Sequence, residues 1–486
     1  MKTGFNNEKY LQMQSEHIRE RIDKFGDKLY LEFGGKLFDD YHASRVLPGF
    51  APDSKLQMLL QLKDQAEIVA VINAEHIAAN KVRQDLGITY QEDVLRLIDE
   101  FRQAGLYVGS VVLTHTSDKE LAAGLKAELE KKGIPLYYHY RIAGYPTDTD
   151  HILSQDGFGK NDYIETTRPL VVVTAPGPGS GKMATCLSQL YHENRRGIKA
   201  GYAKYETFPV WNLPLNHPVN LAYEAATADL NDVNMIDPWH QQAYGEITVN
   251  YNRDVEIYPV LRQMFCEIYG SSPYASPTDM GVNMAGFCID DEETVSEAAR
   301  QEIIRRYFST RNRVIAKLCD PQELQKQEMV MKQAGVTIGD RPVFSRARAL
   351  QDETGDFAAA LEFEDGTIIT GKNSELMGPA SAMIMNALKY KAGIDPSRHL
   401  IDPENFAPIQ RLKVNYFGNQ NPRLHTNEML IALSMTARSD PEARRALEQL
   451  PALAGTQSHI TSALSEVDQS VLSSLKIQTT FEADKV

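Results

Sequence analysis

The 486-residue chain has only four cysteines, no long apolar run and no run of basic residues. The cysteines at 186, 266, 288 and 319 lie far apart and form no Cys-x-x-Cys pair, so neither a disulfide framework nor a cysteine-rich zinc site is predicted. The longest apolar runs, such as 68–72, suit a strand and are too short for a membrane-spanning helix. Because the N-terminal residues also lack the apolar stretch of a signal peptide, we expect a protein of the reducing cytoplasm with no membrane partner.

The charge balance excludes another class of partner. The chain has 51 basic and 65 acidic residues and a formal net charge of -14, with no stripe of lysine and arginine to follow a phosphate backbone. We therefore expect no nucleic-acid partner. The chain also lacks the His-Glu-x-x-His helix of zinc proteases, and Pro178 and Lys182 occupy the outer positions of a Gly-x-Ser-x-Gly motif around Ser180. No zinc and no serine-hydrolase chemistry are predicted.

The length is too great for one hydrophobic core, and three domains are predicted, at 1–214, 215–333 and 334–486. In the first, helical periodicity at 91–103 and 119–132 alternates with apolar runs, which predicts a doubly wound, mostly parallel α/β sheet. Five runs are typical of its buried strands: 28–33, 68–74, 107–115, 135–139 and 169–175.

The sections at 215–333 and 334–486 have other sequence patterns. Proline-rich turns followed by helical stretches at 259–269 and 292–308 predict a mainly helical insert or cap. The last section begins with a hairpin pattern at 357–370, where Asp365-Gly366 supplies the turn, and continues with helical stretches, so a C-terminal α/β unit is predicted.

A glycine-rich loop carries the strongest functional signal. Residues 169–174 read as a buried strand, 175–182 (Ala-Pro-Gly-Pro-Gly-Ser-Gly-Lys) as a loop and 183–194 as a helix. This order is typical of a phosphate-binding, P-loop-like segment, because glycines let the backbone approach an anion and the helix start supplies unpaired N–H groups. Gly177, Gly179, Ser180, Gly181 and Lys182 are the predicted ligand-binding residues.

Two departures from the P-loop pattern leave alternatives open. Pro176 stands where the first glycine belongs, and Met183 where the magnesium-binding hydroxyl belongs, so magnesium-nucleotide use is in doubt. A dinucleotide pattern fits a second register, Gly179-x-Gly181-x-x-Ala184, with Glu206 after the next strand as a ribose ligand. A third alternative is a loop that merely turns a strand into a helix.

A second Gly-Gly-Lys follows the first predicted strand. Lys36 is a further phosphate-binding candidate there, and Asp39, Asp40 and His42 are candidate acid/base groups. Since ligands in open α/β sheets bind outside the carboxyl ends of strands, we expect the strands ending at Phe33 and Thr174 to share one parallel sheet and bring both loops to one edge.

Two polar segments of the middle section are candidates for the wall of a cleft. They are Ile236-Asp-Pro-Trp-His240 and Ser276-Pro-Thr-Asp279. The alternative for each is a purely structural role as a polar break in the helical section.

The chain resembles a bacterial family catalogued as domain of unknown function 1846 in three segments, 33–50, 171–189 and 371–388. The most specific pieces are Phe-Gly-Gly-Lys-Leu-Phe-Asp-Asp-Tyr-His at 33–42 and the glycine-rich residues 175–182. The resemblance covers nearly the whole chain and implies no settled activity. Residues 359–375 resemble, more weakly, the hairpin-then-helix core of cytidine-deaminase-like domains. The zinc ligands of those enzymes are missing from the helix that follows and from the residues after it.

From these patterns we expect an enzyme that binds a nucleotide or another phosphorylated small molecule at the glycine-rich loop. The alternatives are a Rossmann-type dinucleotide enzyme and a non-catalytic oligomeric protein that binds a phosphorylated ligand. The apolar segment 380–388 is suited to a core or an interface, and a homo-oligomer is expected.

Overall fold

The computed structural model describes residues 2–26, 28–35, 37–83 and 86–483. The chain forms two compact units, an N-terminal unit of Lys2–Ala299 and a C-terminal unit of Arg300–Val486. The three predicted domain ranges stay predictions. No helix in the described ranges is long and apolar enough to cross a membrane.

The N-terminal unit is built around a seven-stranded, wholly parallel sheet, which confirms the predicted α/β class. Its strands are β1 (Leu29–Phe33), β2 (Ala66–Asn73), β5 (Tyr107–Thr116), β6 (Leu136–Tyr140), β7 (Leu170–Thr174), β8 (Gly201–Tyr205) and β11 (Gly281–Val282). Their spatial order is β11-β8-β1-β7-β2-β5-β6. Two small antiparallel ribbons pair β3 (Val82–Arg83) with β4 (Ile88–Thr89) and β9 (Asn234–Ile236) with β10 (Val249–Tyr251). The edge strand β11 lies beyond residue 214, and two residues are too few to give a strand pattern in the sequence.

Twelve α-helices lie within the described residues of this unit. They are α1 (Asn7–Lys24), α2 (Tyr41–Val46), α3 (Ser54–Gln61), α4 (Ala74–Ala78), α5 (Tyr90–Gln103), α6 (Ala123–Lys131), α7 (Thr149–Ile152), α8 (Lys182–Arg195), α9 (Pro218–Ala226), α10 (Pro238–Tyr244), α11 (Asn252–Tyr269) and α12 (Pro277–Met280). The next helix, α13 (Glu292–Ile315), begins in this unit and ends in the C-terminal one. Helix α5 shows why they form. Thr89 and Glu92 make a reciprocal capping box at its start, and its apolar residues recur at helical spacing on the buried face.

The five predicted strands are confirmed as β1, β2, β5, β6 and β7, and the most apolar of these runs are buried on both faces of the sheet. Every residue of β1, β2, β7 and β8 is buried. In a parallel sheet covered on both sides, strands need apolar side chains at consecutive positions, so they read as continuous runs rather than alternating ones.

The C-terminal unit has a four-stranded sheet of order β13-β12-β14-β15. The strands are β12 (Ala358–Glu362), β13 (Ile368–Lys372), β14 (Gln457–Ile460) and β15 (Gln478–Phe481). The helices are α14 (Pro321–Ala334), α15 (Pro342–Thr354), α16 (Pro379–Ala392), α17 (Pro403–Asn415), α18 (Thr426–Thr436), α19 (Pro441–Leu447) and α20 (Glu466–Ser474). The predicted hairpin is confirmed as the antiparallel pair of β12 and β13, with Gly366 at φ +80° in the turn.

Helix α16 is part of the core of its own unit. It packs closely on β13, since a Cβ on Gly371 would lie 2.1 Å from the backbone nitrogen of Met383. Its apolar residues, among them Ile384 and Leu388, are buried in the cluster that fills this unit. The apolar segment from which a homo-oligomer was predicted is therefore buried inside its own unit. The oligomeric state stays a prediction.

Candidate functional site

The glycine-rich loop joins β7 to α8, so the predicted order of strand, loop and helix is confirmed. Gly179 and Gly181 have φ of +74° and +88°, in the left-handed region that glycine occupies without strain. Gly181 is the N-cap of α8, and no side chain caps this helix. The helix therefore presents its first N–H groups without a side-chain acceptor.

The loop lies where the sheet changes its winding direction. From β7 the chain passes through α8 to β8, which lies on the β1 side of β7, whereas from β2 it continues to β5 on the opposite side. The connections after the neighbouring strands β7 and β2 thus diverge. Ligands of open α/β sheets bind in the crevice that such divergence leaves at the carboxyl edge.

Side chains from two neighbouring strands hold the loop. Asn73, at the end of β2, donates from Nδ2 to the carbonyl oxygen of Gly179 at 3.1 Å. Thr114, in β5, donates from Oγ1 to the carbonyl oxygen of Ser180 at 2.7 Å. Both contacts turn peptide oxygens of the loop towards the protein.

Two hydroxyls within the segment do the same. Ser180 Oγ donates to the carbonyl oxygen of Gly177 at 2.8 Å, and Thr185 Oγ1 donates to that of Gly181 at 3.0 Å. Four carbonyls of the loop are therefore occupied by protein donors. Because the Thr185 hydroxyl is engaged in this way, it does not take the place of the magnesium-binding hydroxyl that Met183 lacks.

His76, just after β2, lies beside the loop. A Cβ on Gly179 would be 3.8 Å from its Cε1 atom, and Lys81 Nζ lies 3.3 Å from its Nε2. An ammonium group only donates, so Nε2 accepts and the ring proton belongs on Nδ1. That Nδ1 is buried and has no hydrogen-bond partner among the described residues. Burial and the neighbouring Lys81 lower the pKa of His76, which favours this neutral form.

Basic side chains lie in and beside the loop, Lys182 within it and Lys81 against His76. Lys182 has no ion-pair partner among the described residues. His115, near the end of β5, also has a buried Nδ1 for which the described part of the chain supplies no hydrogen-bond partner, and burial lowers its pKa. Close by, Arg141 lies 3.3 Å from Glu75.

The two glycine-containing turns share one edge, as the sequence predicts. Strand β1 pairs directly with β7, with Leu29 opposite Leu170 and Glu32 opposite Val173. Gly34 and Gly35 therefore follow their strand at the same carboxyl edge as the loop. Lys36 lies outside the described residues, so its phosphate-binding role stays a prediction.

Asp40 is held by a buried lysine that the sequence analysis did not single out. Lys55 Nζ lies 2.8 Å from its Oδ2, and its Oδ1 accepts from the backbone of Ala43 at the start of α2. Burial opposes the charge, but Lys55 outweighs it and lowers the pKa of the Asp40 carboxyl. A carboxylate stabilised in this way is a weak base, so these contacts favour a structural role.

The other two acid/base candidates lie on either side of Asp40 in the chain. Asp39 is half-buried, and the His42 ring packs edge-on against Phe208 at 5.3 Å. Their roles as acid/base groups stay predictions.

The sequence analysis missed Asn73, His76, Thr114 and His115. Each lies at or just after the carboxyl end of a predicted strand that neighbours the loop only in space. They could have been predicted by taking the first polar residues at the carboxyl end of every predicted parallel strand as site candidates.

The loop geometry makes Gly181 sensitive to substitution. We expect Gly181→Ala to lower the free energy of unfolding of the N-terminal unit by about 1–2 kcal/mol for the left-handed backbone, and by more for the contact its Cβ makes with Thr114 at 3.1 Å. Gly197→Ala is the matched control, because Gly197 also has a positive φ, +72°, but no atom lies within 4 Å of its Cβ position. Both tryptophans, Trp211 and Trp239, belong to this unit, so tryptophan fluorescence in urea measures it selectively. Equal destabilisation by the two substitutions contradicts close packing at Gly181.

The fold and the loop together define a class: α/β proteins with a parallel sheet and a glycine-rich loop at its carboxyl edge. Sequence models of one family match almost the whole chain, "Domain of unknown function DUF1846, N-terminal" over residues 3–335 and its C-terminal counterpart over residues 339–484. The chain belongs to this family, as its resemblance indicated.

The relatives carry a family name rather than an activity. A protein of Streptococcus thermophilus named "UPF0371 protein" is 56% identical over 481 residues, which cover 99% of this chain and 97% of the relative. A "UPF0371 protein" of Streptococcus pneumoniae is also 56% identical over 481 residues, with the same coverage of both chains.

Proposed function

We propose that the loop at 175–182 binds the phosphate group of a phosphorylated small molecule. The observation that carries this proposal is that the carbonyl groups of the loop are bonded to the protein, whereas the N–H groups at the start of α8 have no side-chain acceptor. Protein donors occupy the carbonyls of Gly177, Gly179, Ser180 and Gly181, while the start of α8 has no side-chain cap. A loop held in this way presents N–H groups and the positive end of a 14-residue helix to an anion.

Two side chains complete the proposed site. Lys182 supplies a full positive charge that no carboxylate of the described residues pairs with. His76 supplies a buried Nδ1–H donor that a phosphate oxygen would satisfy. A buried donor without an acceptor costs free energy, which a bound acceptor recovers.

A mononucleotide is the first ligand to test. Since no hydroxyl follows Lys182 and Thr185 Oγ1 is bonded to Gly181, this chain lacks the usual P-loop magnesium ligand. Binding is therefore expected to persist in the presence of EDTA. Acid/base chemistry by Asp39, Asp40 or His42 is a further part of the hypothesis, for which Asp40 is the weakest candidate because of its pair with Lys55.

The dinucleotide alternative has less support. In a Rossmann unit the strand after the glycine-rich helix lies beside the strand before it, but here β1 separates β7 from β8. Glu206, its ribose ligand, already holds Lys204 at 2.8 Å and Tyr251 at 2.9 Å through Oε1. A non-catalytic, oligomeric phosphate-binding protein remains the other alternative.

The test is a thermal-shift screen with ATP, GTP, NAD(P) and sugar phosphates, read by tryptophan fluorescence. A ligand at about 100 times its Kd stabilises the native state by about 2.7 kcal/mol and raises its Tm. For the best ligand we expect Lys182→Ala to weaken binding about 10- to 100-fold, since hydrogen bonds to charged groups contribute about 1.5–3 kcal/mol.

Lys199→Ala is the matched control. It removes the same charge from an exposed position beyond the opposite end of α8. We expect it to leave the affinity within a factor of two or so of the parent, because exposed charges are screened by salt. Equal loss in both variants, or no loss in Lys182→Ala, contradicts the proposed site.

A further inference from the structure

A cavity of about 410 Å³ lies in the N-terminal unit, beside the β8–β11 side of the sheet. None of the residues of the glycine-rich loop lines it. Six of the residues that do are Glu206, Trp211, His240, Asn250, Thr278 and Asp279. A volume of this size accommodates one small molecule.

The buried carboxylate of Asp237 assembles one wall. Its Oδ1 accepts from the backbone of His240 at 3.1 Å, and its Oδ2 accepts from Thr278 Oγ1 at 2.7 Å. The two polar segments that the sequence suggests for a cleft, 236–240 and 276–279, are thus joined by one side chain. Both contribute to the same cavity.

Trp211 provides a fixed aromatic surface. Its Nε1 donates to the carbonyl oxygen of Asn283 at 2.6 Å, and its ring packs edge-on against Phe287 at 5.5 Å. With the N–H satisfied by the protein, the indole contributes its apolar face to the cavity. Aromatic rings of this kind bind the C–H face of flat or ring-shaped ligands.

Glu206 offers one carboxyl oxygen to the cavity. Both of its contacts, to Lys204 and Tyr251, use Oε1, so Oε2 has no partner among the described residues. Lys204 also lies 2.5 Å from Asp254 Oδ2. One buried ammonium is therefore shared by two carboxyls. Protonation of one of them removes the repulsion between two buried negative charges.

Asn250 and His240 add further polar atoms. Asn250 Oδ1 accepts from Tyr251, which leaves its Nδ2 as a donor, and His240 Nδ1 is hydrogen-bonded to Ser276 Oγ at 2.8 Å. The charges of the remaining lining residues balance, with Arg21 and Lys24 against Glu20 and Asp279. Balanced charge and mixed donors and acceptors suit an uncharged ligand.

We propose that this cavity binds a neutral polyhydroxylated small molecule, such as a sugar, with its ring against Trp211 and its hydroxyls on Glu206 and Asn250. The site is separate from the loop at 175–182 and does not depend on the function proposed for that loop.

The hydrogen-bonding role of Glu206 depends on pH. Burial raises the pKa of its carboxyl to about 8, although Lys204 opposes this rise. The other ionisable groups that face it are Asp254 on α11, Glu32 on β1, Tyr251 on β10 and Tyr223 on α9. Below that pH the protonated carboxyl donates to a ligand hydroxyl, and above it the donor is lost.

The experiment uses Trp239→Phe, which leaves Trp211 as the single tryptophan of the chain. Its emission is followed while glucose, galactose, N-acetylglucosamine and myo-inositol are added at millimolar concentration. We expect a saturable change with at least one of them, and an affinity that falls as the pH rises through about 8.

Variants separate the site from its alternatives. In the same background we expect Glu206→Ala to weaken binding about tenfold, whereas Glu206→Gln, whose amide still donates, binds with no pH dependence in this range. Lys182→Ala should leave sugar binding unchanged, which distinguishes this site from the loop. Glucose 6-phosphate and glucosamine are added in parallel as charged comparisons. The proposal is overturned if none of the four neutral compounds changes the emission, if only the two charged ones do, or if Glu206→Ala binds like the parent.

Discussion

Lys204→Met is expected to lower the free energy of unfolding of the N-terminal unit by about 3–5 kcal/mol, the usual cost of removing one partner from a buried ion pair. Lys204 is 7% exposed and contacts Asp254, Glu206 and the Tyr251 hydroxyl. Burial opposes its charge, but the two carboxyls raise its pKa. Without the ammonium, the buried Asp254 carboxylate loses its counter-ion, and the neighbouring Glu206 carboxyl cannot replace it.

Urea unfolding followed by tryptophan fluorescence measures this loss. Lys126→Met is the control, since its pair with Glu130 is 3.9 Å long with side chains 55% and 67% exposed. Such surface pairs contribute less than about 1 kcal/mol. Adding Glu206→Gln and Asp254→Asn to Lys204→Met should recover part of the stability because the uncompensated charges are then absent. A loss no larger than that of Lys126→Met contradicts a stabilising role for this buried lysine.

Asp468→Ala is expected to destabilise the C-terminal unit by about 2 kcal/mol or more at neutral pH. Asp468 accepts from Thr426 N and Oγ1, from Ser465 Oγ and from His425 Nδ1, each at 2.8 Å. It thereby connects the starts of α18 and α20. Burial opposes the charge, but the hydrogen bond from His425 and the others outweigh it and lower the pKa of Asp468 to about 2.

The lowered pKa fixes the pH dependence. The pKa of Asp468 is 3.8 in the unfolded chain and about 2 in the folded unit. The carboxylate therefore stabilises the folded unit fully above pH 4 or so, and this stabilisation disappears as the pH falls through 2. The difference between parent and variant should therefore shrink over this range. Because the C-terminal unit has no tryptophan, its unfolding is followed by far-UV circular dichroism, and the tryptophan transition should not move. A difference that stays constant down to pH 2 contradicts the role of the carboxylate.

The strands of the parallel sheet are predictable because their burial is local in the sequence. A strand covered on both faces needs a continuous run of apolar residues. Strand β7, with the sequence Leu-Val-Val-Val-Thr, contains such a run. The Asp365-Gly366 turn is equally local. Strand β11 has two residues and gains its pairing from β8, 75 or so residues earlier in the chain. No pattern in those two residues indicates a strand.

The candidate site divides in the same way. The glycines, Ser180 and Lys182 lie in one short segment, so a phosphate-binding role can be predicted for them from the sequence. Asn73 and Thr114 reach the loop from β2 and β5, and His76 from the helix that follows β2, and only the sheet order places these elements beside the loop. The sequence marks Asp40 as a candidate acid/base group, but the structure pairs it with Lys55, a partner fifteen or so positions away that no motif includes.

The sequence by itself determined the α/β class, the family, the strand–loop–helix unit at 170–195 and the expectation that two glycine-containing turns share an edge. The family follows from the resemblance of its motifs. The other features follow from apolar period and backbone freedom, which depend on neighbouring residues. Only the tertiary structure decided that the winding direction changes at the loop, that its carbonyls are occupied, and that Glu206, Trp211 and His240 line one cavity. Those features depend on which strands are adjacent and which charges share a buried volume, and contacts between distant segments set both.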